Sequence, residues 1–475
     1  MAVSGVSTGP KRKRTWRTWL VAIAAVLAVA GGALWWMLLG RNDPDPPMTD
    51  RDLFAYGSVG AEGQALPLYI WEALPDVCPD ALPGGYQSIG FLYEPHHETP
   101  VGIATRRLGV PRASFTCAIC HSGSFRTAPD ASRHIVLGMP GHQMDLQRFT
   151  RFALGCLSSP SFTGDRVMAA IARHTALSAT DRVLYRYVLV PALQFQVKSL
   201  KAQFAWFDER PEFGPGRFDG FAPYKNMSVD HTVATADIMS VWNQGLRGTR
   251  GRHWDGNTNS TIDGAIASAL GFGATASSVN IAALERVSRY FRTLPPPPFP
   301  FPVDQGLAAK GAAVFGAACG SCHQPGGERF GSVMPVAEIG TDTARHEAFT
   351  EEAVRTMNQL GAGYPWQIHT YRTTAGYQAD LLDGIWARAP YLHNGAVPTL
   401  DDLLKPAGQR PPTFYRGYDV YDPAQVGFIS AGPNAEREGR RFDVSQPGNG
   451  NAGHEYGTTL PEPDRRALLE YLKTL

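Results

Sequence analysis

Cys117-Ala118-Ile119-Cys120-His121 and, in the second half of the chain, Cys319-Gly320-Ser321-Cys322-His323 place two thiols and an imidazole in the same order and spacing. C-x-x-C-H is the attachment signature of a c-type haem. The two thiols add to the porphyrin vinyl groups, and the adjoining histidine becomes an axial ligand of the iron. One turn of chain must offer both sulfurs to one porphyrin edge while the imidazole points at the metal, which is why the spacing is fixed. A four-thiolate zinc site or a dithiol redox motif uses the same thiols. Neither explains a histidine directly after each pair. The expectation is two covalently bound haems, held by Cys117, Cys120, Cys319 and Cys322, with His121 and His323 on the irons.

A low-spin c haem takes a sixth ligand, usually Met or His, on its opposite face. For the second haem the candidate is His393, within Ala389-Pro390-Tyr391-Leu392-His393-Asn394-Gly395, with Met334 and Met357 as rivals. The first half carries an echo of this region. Asp237 to Trp242 resembles Asp380 to Trp386, and His253-Trp254-Asp255-Gly256 parallels Leu392-His393-Asn394-Gly395. Read as an internal repeat, this puts Trp254 in the slot of His393. Tryptophan has no imidazole lone pair to give, so the first haem would be five-coordinate and open to peroxide or dioxygen. The rival sixth ligands there are His253, His231, His134, His142, Met139 and Met144. His253 is alternatively a distal acid–base group, and Trp242 is either an electron relay or a core indole. Asp255-Gly256-Asn257-Thr258-Asn259 has oxygen donors at calcium-like spacing but lacks the closing glutamate.

The elements that must hold these residues are short. Helical periodicity marks Met144–Leu157, Asp181–Phe195 with a break at Pro191, and Ser278–Leu294 with Ser278 as its cap. A helix through Leu307 to Phe315 leads into Cys319, and Thr459–Leu475 closes the chain behind a Thr459/Glu462 capping box. The stretch from Thr49 to Thr116 has no long period and reads as loops. Pro295 to Pro302 is an extended polyproline run between the two halves. The expected fold is mainly α: two cytochrome c-type domains, 49–302 and 303–475, with long Gly/Pro-rich loops, behind a segment 1–48.

That first segment holds Leu20 to Gly40, 21 residues without a charge. At about 1.5 Å per residue it reaches across a hydrocarbon core of about 30 Å. Lys11, Arg12, Lys13, Arg14 and Arg17 precede it, which keeps the N-terminus cytoplasmic and exports the rest, here to the bacterial periplasm. A cleaved signal peptide ending at Ala28-Val29-Ala30 is the competing reading. Of 6 cysteines, Cys78 and Cys156 remain, as a disulfide or as free thiols. The formal net charge of +1 argues against a nucleic-acid partner.

Lys310 to Phe428 resembles the di-haem cytochrome c peroxidase superfamily, through Gly384-Ile385-Trp386-Ala387, Pro390 to Leu400 and Tyr421 to Phe428. Tyr56-Gly57-Ser58-Val59-Gly60, Leu66 to Pro75 and Phe115 to Gly123 are similar to its rubber-oxygenase-like branch. The resemblance implies electron passage between two haems, one reactive and one six-coordinate with His323 and His393 as axial ligands. It implies an oxidoreductase of peroxidase or oxygenase type, served by a periplasmic electron donor or acceptor and a small oxidant. The alternative is a pure electron carrier with two low-spin haems.

Overall fold

The computed structural model describes residues 16–221 and 232–475. The N-terminal helix α1 (Trp16–Trp35) runs on into a π turn, Trp36–Gly40. Its segment Thr18–Trp35 is long and apolar enough to cross a membrane. The basic residues 11–14 lie outside the described residues.

The body is not mainly α. Among the described residues, short helices alternate with one three-stranded and five two-stranded sheets. The two-cytochrome-domain expectation fails with it, because the strands lie inside stretches taken for loops. Residues 49–116 contain helices α2 (Asp50–Tyr56) and α3 (Leu68–Val77), then the hairpin β1 (Ile103–Leu108) and β2 (Val110–Phe115). The hairpin turns on Gly109 at φ +70°, a conformation that glycine adopts without strain. Two further antiparallel strand pairs matter for the site. β3 (Arg217–Asp219) pairs with β4 (Thr235–Asp237), and β5 (Val333–Pro335) with β6 (Gly376–Gln378). Strands this short, broken by glycine and proline, carry no legible alternation.

Helix ends moved as well. The helix at 281–293 is capped by Asn280, whose side chain accepts from Ala283 N–H; Ser278 instead closes the preceding turn. The last helix, Glu462–Leu472, starts behind Pro461 with no side-chain cap. At Pro191 the chain stays helical. A π turn, Tyr185–Leu189, sits just ahead and absorbs the missing N–H and the ring clash.

One core gathers β1, β2, α3 and the helices between 146 and 203. Cys78 and Cys156 are joined by a disulfide beside it. A second core mixes both halves, packing Phe125, Met139 and Trp242 against Ile385, Trp386, Tyr421 and the C-terminal helix. The polyproline run lies over it, with Phe299 and Phe301 against Trp386 and Tyr421.

The helices Gln305–Ala318 and Glu462–Leu472 cross at Gly311, where a Cβ would stand 1.9 Å from the Ala467 carbonyl oxygen. Gly311→Val should therefore push them apart and cost about 1–3 kcal/mol. Urea unfolding followed by circular dichroism checks this; an unchanged midpoint would show that the crossing relaxes freely.

Candidate haem-binding site

Both C-x-x-C-H segments are single tight turns. Thr116 caps the first, its hydroxyl accepting from Ala118 N–H, and Cys117–Ile119 form a 3-10 turn. In the second, the helix Gln305–Ala318 delivers Cys319, and Gly320–His323 adds one more turn. In each, the histidine N–H donates to the carbonyl of the first cysteine, at 3.1 Å for His121 and 3.0 Å for His323. None of these four cysteines is disulfide-bonded. Burial pushes Cys117 up to about 11, Cys120 to about 12 and Cys319 to about 11.

The imidazoles are prepared alike. His121 Nδ1 lies 2.8 Å from Met239 O, and His323 Nδ1 lies 2.7 Å from Asp380 O. A carbonyl oxygen only accepts, so Nδ1 carries the proton and Nε2 keeps its lone pair. That is the tautomer and orientation a metal-binding histidine needs. Burial lowers both pKa values, that of His121 to about 4, so the rings are neutral at neutral pH.

The carbonyls that orient them belong to a structural repeat. Met239 follows β4, and Asp380 follows β6, each two residues beyond the strand end. Four residues further on, Asn243 (φ +46°) and Gly384 (φ +63°) turn into short 3-10 helices ending at Arg247 and Arg388. The following loops match as well. Bridges join Arg252 to Thr258 and Tyr391 to Val397. Positive φ recurs at His253 (+63°) and Leu392 (+70°), then at Gly256 (+63°) and Gly395 (+62°). Trp254 and His393 hold the same place in the two loops.

The halves interlock through these loops. Asp237 N–H donates to His393 O at 2.8 Å, and Gln378 N–H donates to Trp254 O at 2.7 Å. Each loop thus caps the strand end that positions the other half's histidine. Arg247 of the first half ion-pairs with Asp380, and Arg416 of the second with Asp237, both in the buried interior.

Trp242 is fully buried at this junction, its indole N–H donating to Leu137 O at 2.9 Å. A Cβ on Gly138 or Gly384 would strike its ring from the first or second half. Trp254 donates its indole N–H to Asp237 O at 2.8 Å. His253 bonds Asn257 Oδ1 through Nδ1 at 2.8 Å, and burial lowers its pKa. His393 is buried with its ring stacked on Tyr377, centroids 4.0 Å apart, and burial followed by Arg345 and Arg217 drives its pKa well down.

The ring set against His323 is that of His454, with centroids 6.2 Å apart. His454 precedes the last helix, is held by its N–H on Ile339 O, and has a buried Nδ1 without a partner among the described residues. Burial, then His323, lowers its pKa to about 4. Sequence reasoning passed it over; the one available signal was a histidine inside the glycine- and asparagine-rich run Gly448 to Gly453 and its neighbour.

The remaining candidates have other places. Met139 and Met144 lie in apolar cores, as do Met334 and Met357, while His134 stacks on Phe125. His231 falls outside the described residues. Asp255 is committed to Arg345 and Asn257 rather than to an open oxygen cage.

Arg217 is fully buried on β3 beside Asp237. Its guanidinium bonds carbonyls of Phe213 and Gly448, and among the described residues its Nε has no partner and it forms no ion pair. Burial, then Arg416, pulls its pKa down to about 9.

Residues 376–416 match the family model described as RoxA-like, cytochrome c-like. That segment holds β6, the Asp380 carbonyl and the His393 loop, and a cytochrome c-like module of this kind implies a c-type haem. Two curated relatives, both from Sinorhizobium fredii, extend the comparison. The uncharacterized protein y4iJ is 34% identical over 253 residues, covering 39% of this chain and 42% of the relative. The match therefore spans less than half the length of y4iJ. The uncharacterized protein y4iM is 32% identical over 311 residues, covering 54% of this chain and 69% of the relative. The chain belongs to the same family as y4iM.

His142 links the halves beside this site. Its Nε2 lies 2.8 Å from Ser124 O, its ring stacks on Phe428, and burial lowers its pKa from 6.5 to about 4. The unfolded chain takes up a proton below 6.5 that the folded site refuses until about 4. The stability this group contributes is therefore full above 6.5 and lost as pH falls toward 4. His142→Gln should flatten that acid limb in a pH series of urea midpoints; an identical limb would assign the loss to other groups.

Proposed function

We propose that this chain is a membrane-anchored, exported di-haem c-type cytochrome that works as an oxidoreductase on a small oxidant such as peroxide or dioxygen. Cys117, Cys120 and His121 would hold one haem, and Cys319, Cys322 and His323 the other. When bound, such a group supplies an iron that carries single electrons and, where a coordination position is free, binds oxygen species.

The observation that carries the reading is an asymmetry. The repeat supplies carbonyls to two equivalent histidines, yet among the described residues only His323 has a second histidine ring at a ligand's distance. Two imidazoles on opposite sides of one iron, each at a metal–nitrogen distance of about 2 Å, have centroids about 6 Å apart. His323 and His454 fit that spacing, so the geometry favours His454 over His393 as the sixth ligand of the second site. In the first half the matching loop offers Trp254, whose indole cannot ligate, with His253 nearby as a proton donor or acceptor. Burial keeps His253 neutral, and Asn257 fixes its ring.

Two further residues suit this arrangement. Arg217, a buried cation with no ion pair among the described residues, would gain a counter-charge from a porphyrin propionate. Trp242, wedged between Gly138 and Gly384, is placed to relay charge between the halves. The Cys78–Cys156 disulfide and the apolar N-terminal helix support export and anchoring, with a periplasmic redox protein as partner.

The test is spectroscopic. Purified full-length protein should contain two covalent haems, one high-spin and one low-spin by electron paramagnetic resonance. Carbon monoxide should bind the reduced form at one haem only. His454→Ala should convert the low-spin species to high spin and His393→Ala should leave it, while Trp254→His should abolish carbon monoxide binding. A low-spin signal lost in His393→Ala instead would give that residue the ligand role. Two low-spin haems that bind nothing, even after one is reduced, would make the protein an electron carrier.

A further inference from the structure

Among the described residues, three of the seven large apolar side chains exposed outside the N-terminal helix and its π turn sit on one helical run. They are Val183, Tyr187 and Phe195, on the segment from Ala179 through the π turn to Gln203. Phe195 is 80% exposed and Tyr187 64%, values that decide against a hidden partner within the chain. With Pro191, also exposed, the spacing is four residues throughout, which keeps all of them on one face. The opposite face, through Leu184, Tyr185, Leu189, Val190 and Val197, is buried in the first core. The run also carries Arg182, Arg186, Lys198 and Lys201 against Asp181 alone. Arg186 is paired with Asp165; Lys198 and Lys201 are exposed.

This face lies beside the point where α1 leaves the membrane under the anchoring reading. Leu34 and Met37 at the end of α1 pack on the same core. Beyond them the chain is stitched to the β1–β2 hairpin tip: Gly109 N–H donates to Arg41 O at 2.6 Å, and Asn42 bridges Leu108. Arg107 pairs with Asp43 and Arg106 with Asp45. The buried Tyr185 feels Arg107 and Arg112 of that hairpin, which brings the helical run alongside the exit. Trp35 and Trp36 stand exposed at the end of the N-terminal helix.

We propose that the face Val183–Tyr187–Pro191–Phe195 lies in the interfacial layer of an anionic bilayer, as a second membrane contact beside the anchor. An amphipathic helix with aromatic residues on one face and lysine and arginine on its borders binds such a surface through both terms. The contact would add a second point of attachment and hold the haem sites at a set height and tilt. It rests on the anchoring reading, and its test separates the two.

Full-length protein carrying a single spin label at Tyr187→Cys, Phe195→Cys or, as control, Arg437→Cys is reconstituted into phosphatidylglycerol-containing or phosphatidylcholine vesicles. Labels at 187 and 195 should lose accessibility to a water-soluble nickel chelate and gain it to oxygen, most in the anionic vesicles, while 437 stays aqueous. Lys198→Glu with Lys201→Glu should reverse the shift. Labels at 187 and 195 as aqueous as 437 would overturn the proposal, and equal shielding in detergent solution would replace lipid by a protein partner. Alkaline carbonate extraction reads the anchor separately: carbonate release with shielded labels defeats the anchor alone, carbonate resistance with aqueous labels the helix alone.

Discussion

The reciprocal pair of backbone hydrogen bonds, Asp237 N–H to His393 O and Gln378 N–H to Trp254 O, is the constraint on which the site depends. Each bond joins a strand end of one half to a loop of the other. Two residues beyond each strand end stands the carbonyl that fixes a proximal histidine. Neither histidine is therefore oriented by its own half alone. A buried peptide group left unpaired costs about 1–3 kcal/mol, so losing one loop would loosen the strand of its neighbour. The ion pairs Arg247–Asp380 and Arg416–Asp237 repeat the exchange with side chains. Buried pairs of this kind add little net stability, but they penalise any packing in which the halves separate.

The same interlock explains why the halves do not behave as two domains in series. Trp242 fills the space between Gly138 and Gly384, and the glycines leave that space because a Cβ at either would overlap the indole. The polyproline run connects the halves, but it lies on the shared core, where Trp386 donates its indole N–H to Pro297 O. A stretch that looks like a spacer in sequence is here a lid over a common interior.

The two C-x-x-C-H motifs stand out in the sequence because the covalent chemistry they would serve dictates their spacing within one turn. The place of Trp254 was legible for a related reason. Positive φ at matched positions needs glycine or a tolerant residue, so the loop leaves a recognisable trace of Gly256 and Gly395. The hairpins were not legible, since strands of two to six residues broken by Gly109, Pro111 and Gly376 show no period. His454 was invisible for a different reason. It reaches His323 across the fold from a glycine-rich tail segment, and nothing local to it distinguishes a ligand from a surface histidine.

That origin bears on how the proposed division of labour arises. The repeat duplicates the oriented histidine, its carbonyl acceptor and the distal loop, so two copies alone would make two similar sites. The ring opposite His323 comes from outside the repeat, on the segment that follows the second copy and leads into the last helix. That helix packs on Gln305–Ala318, the element that delivers Cys319, so the tail is tied to the second motif. Its counterpart position after the first copy is taken up by the helices Thr261–Gly271 and Ile281–Thr293; the second of these shares a core with Cys117 and Ala118, and neither carries a histidine. If both motifs carry a haem and His454 is a ligand, a duplicated frame with one unduplicated histidine would close one site and leave its twin open.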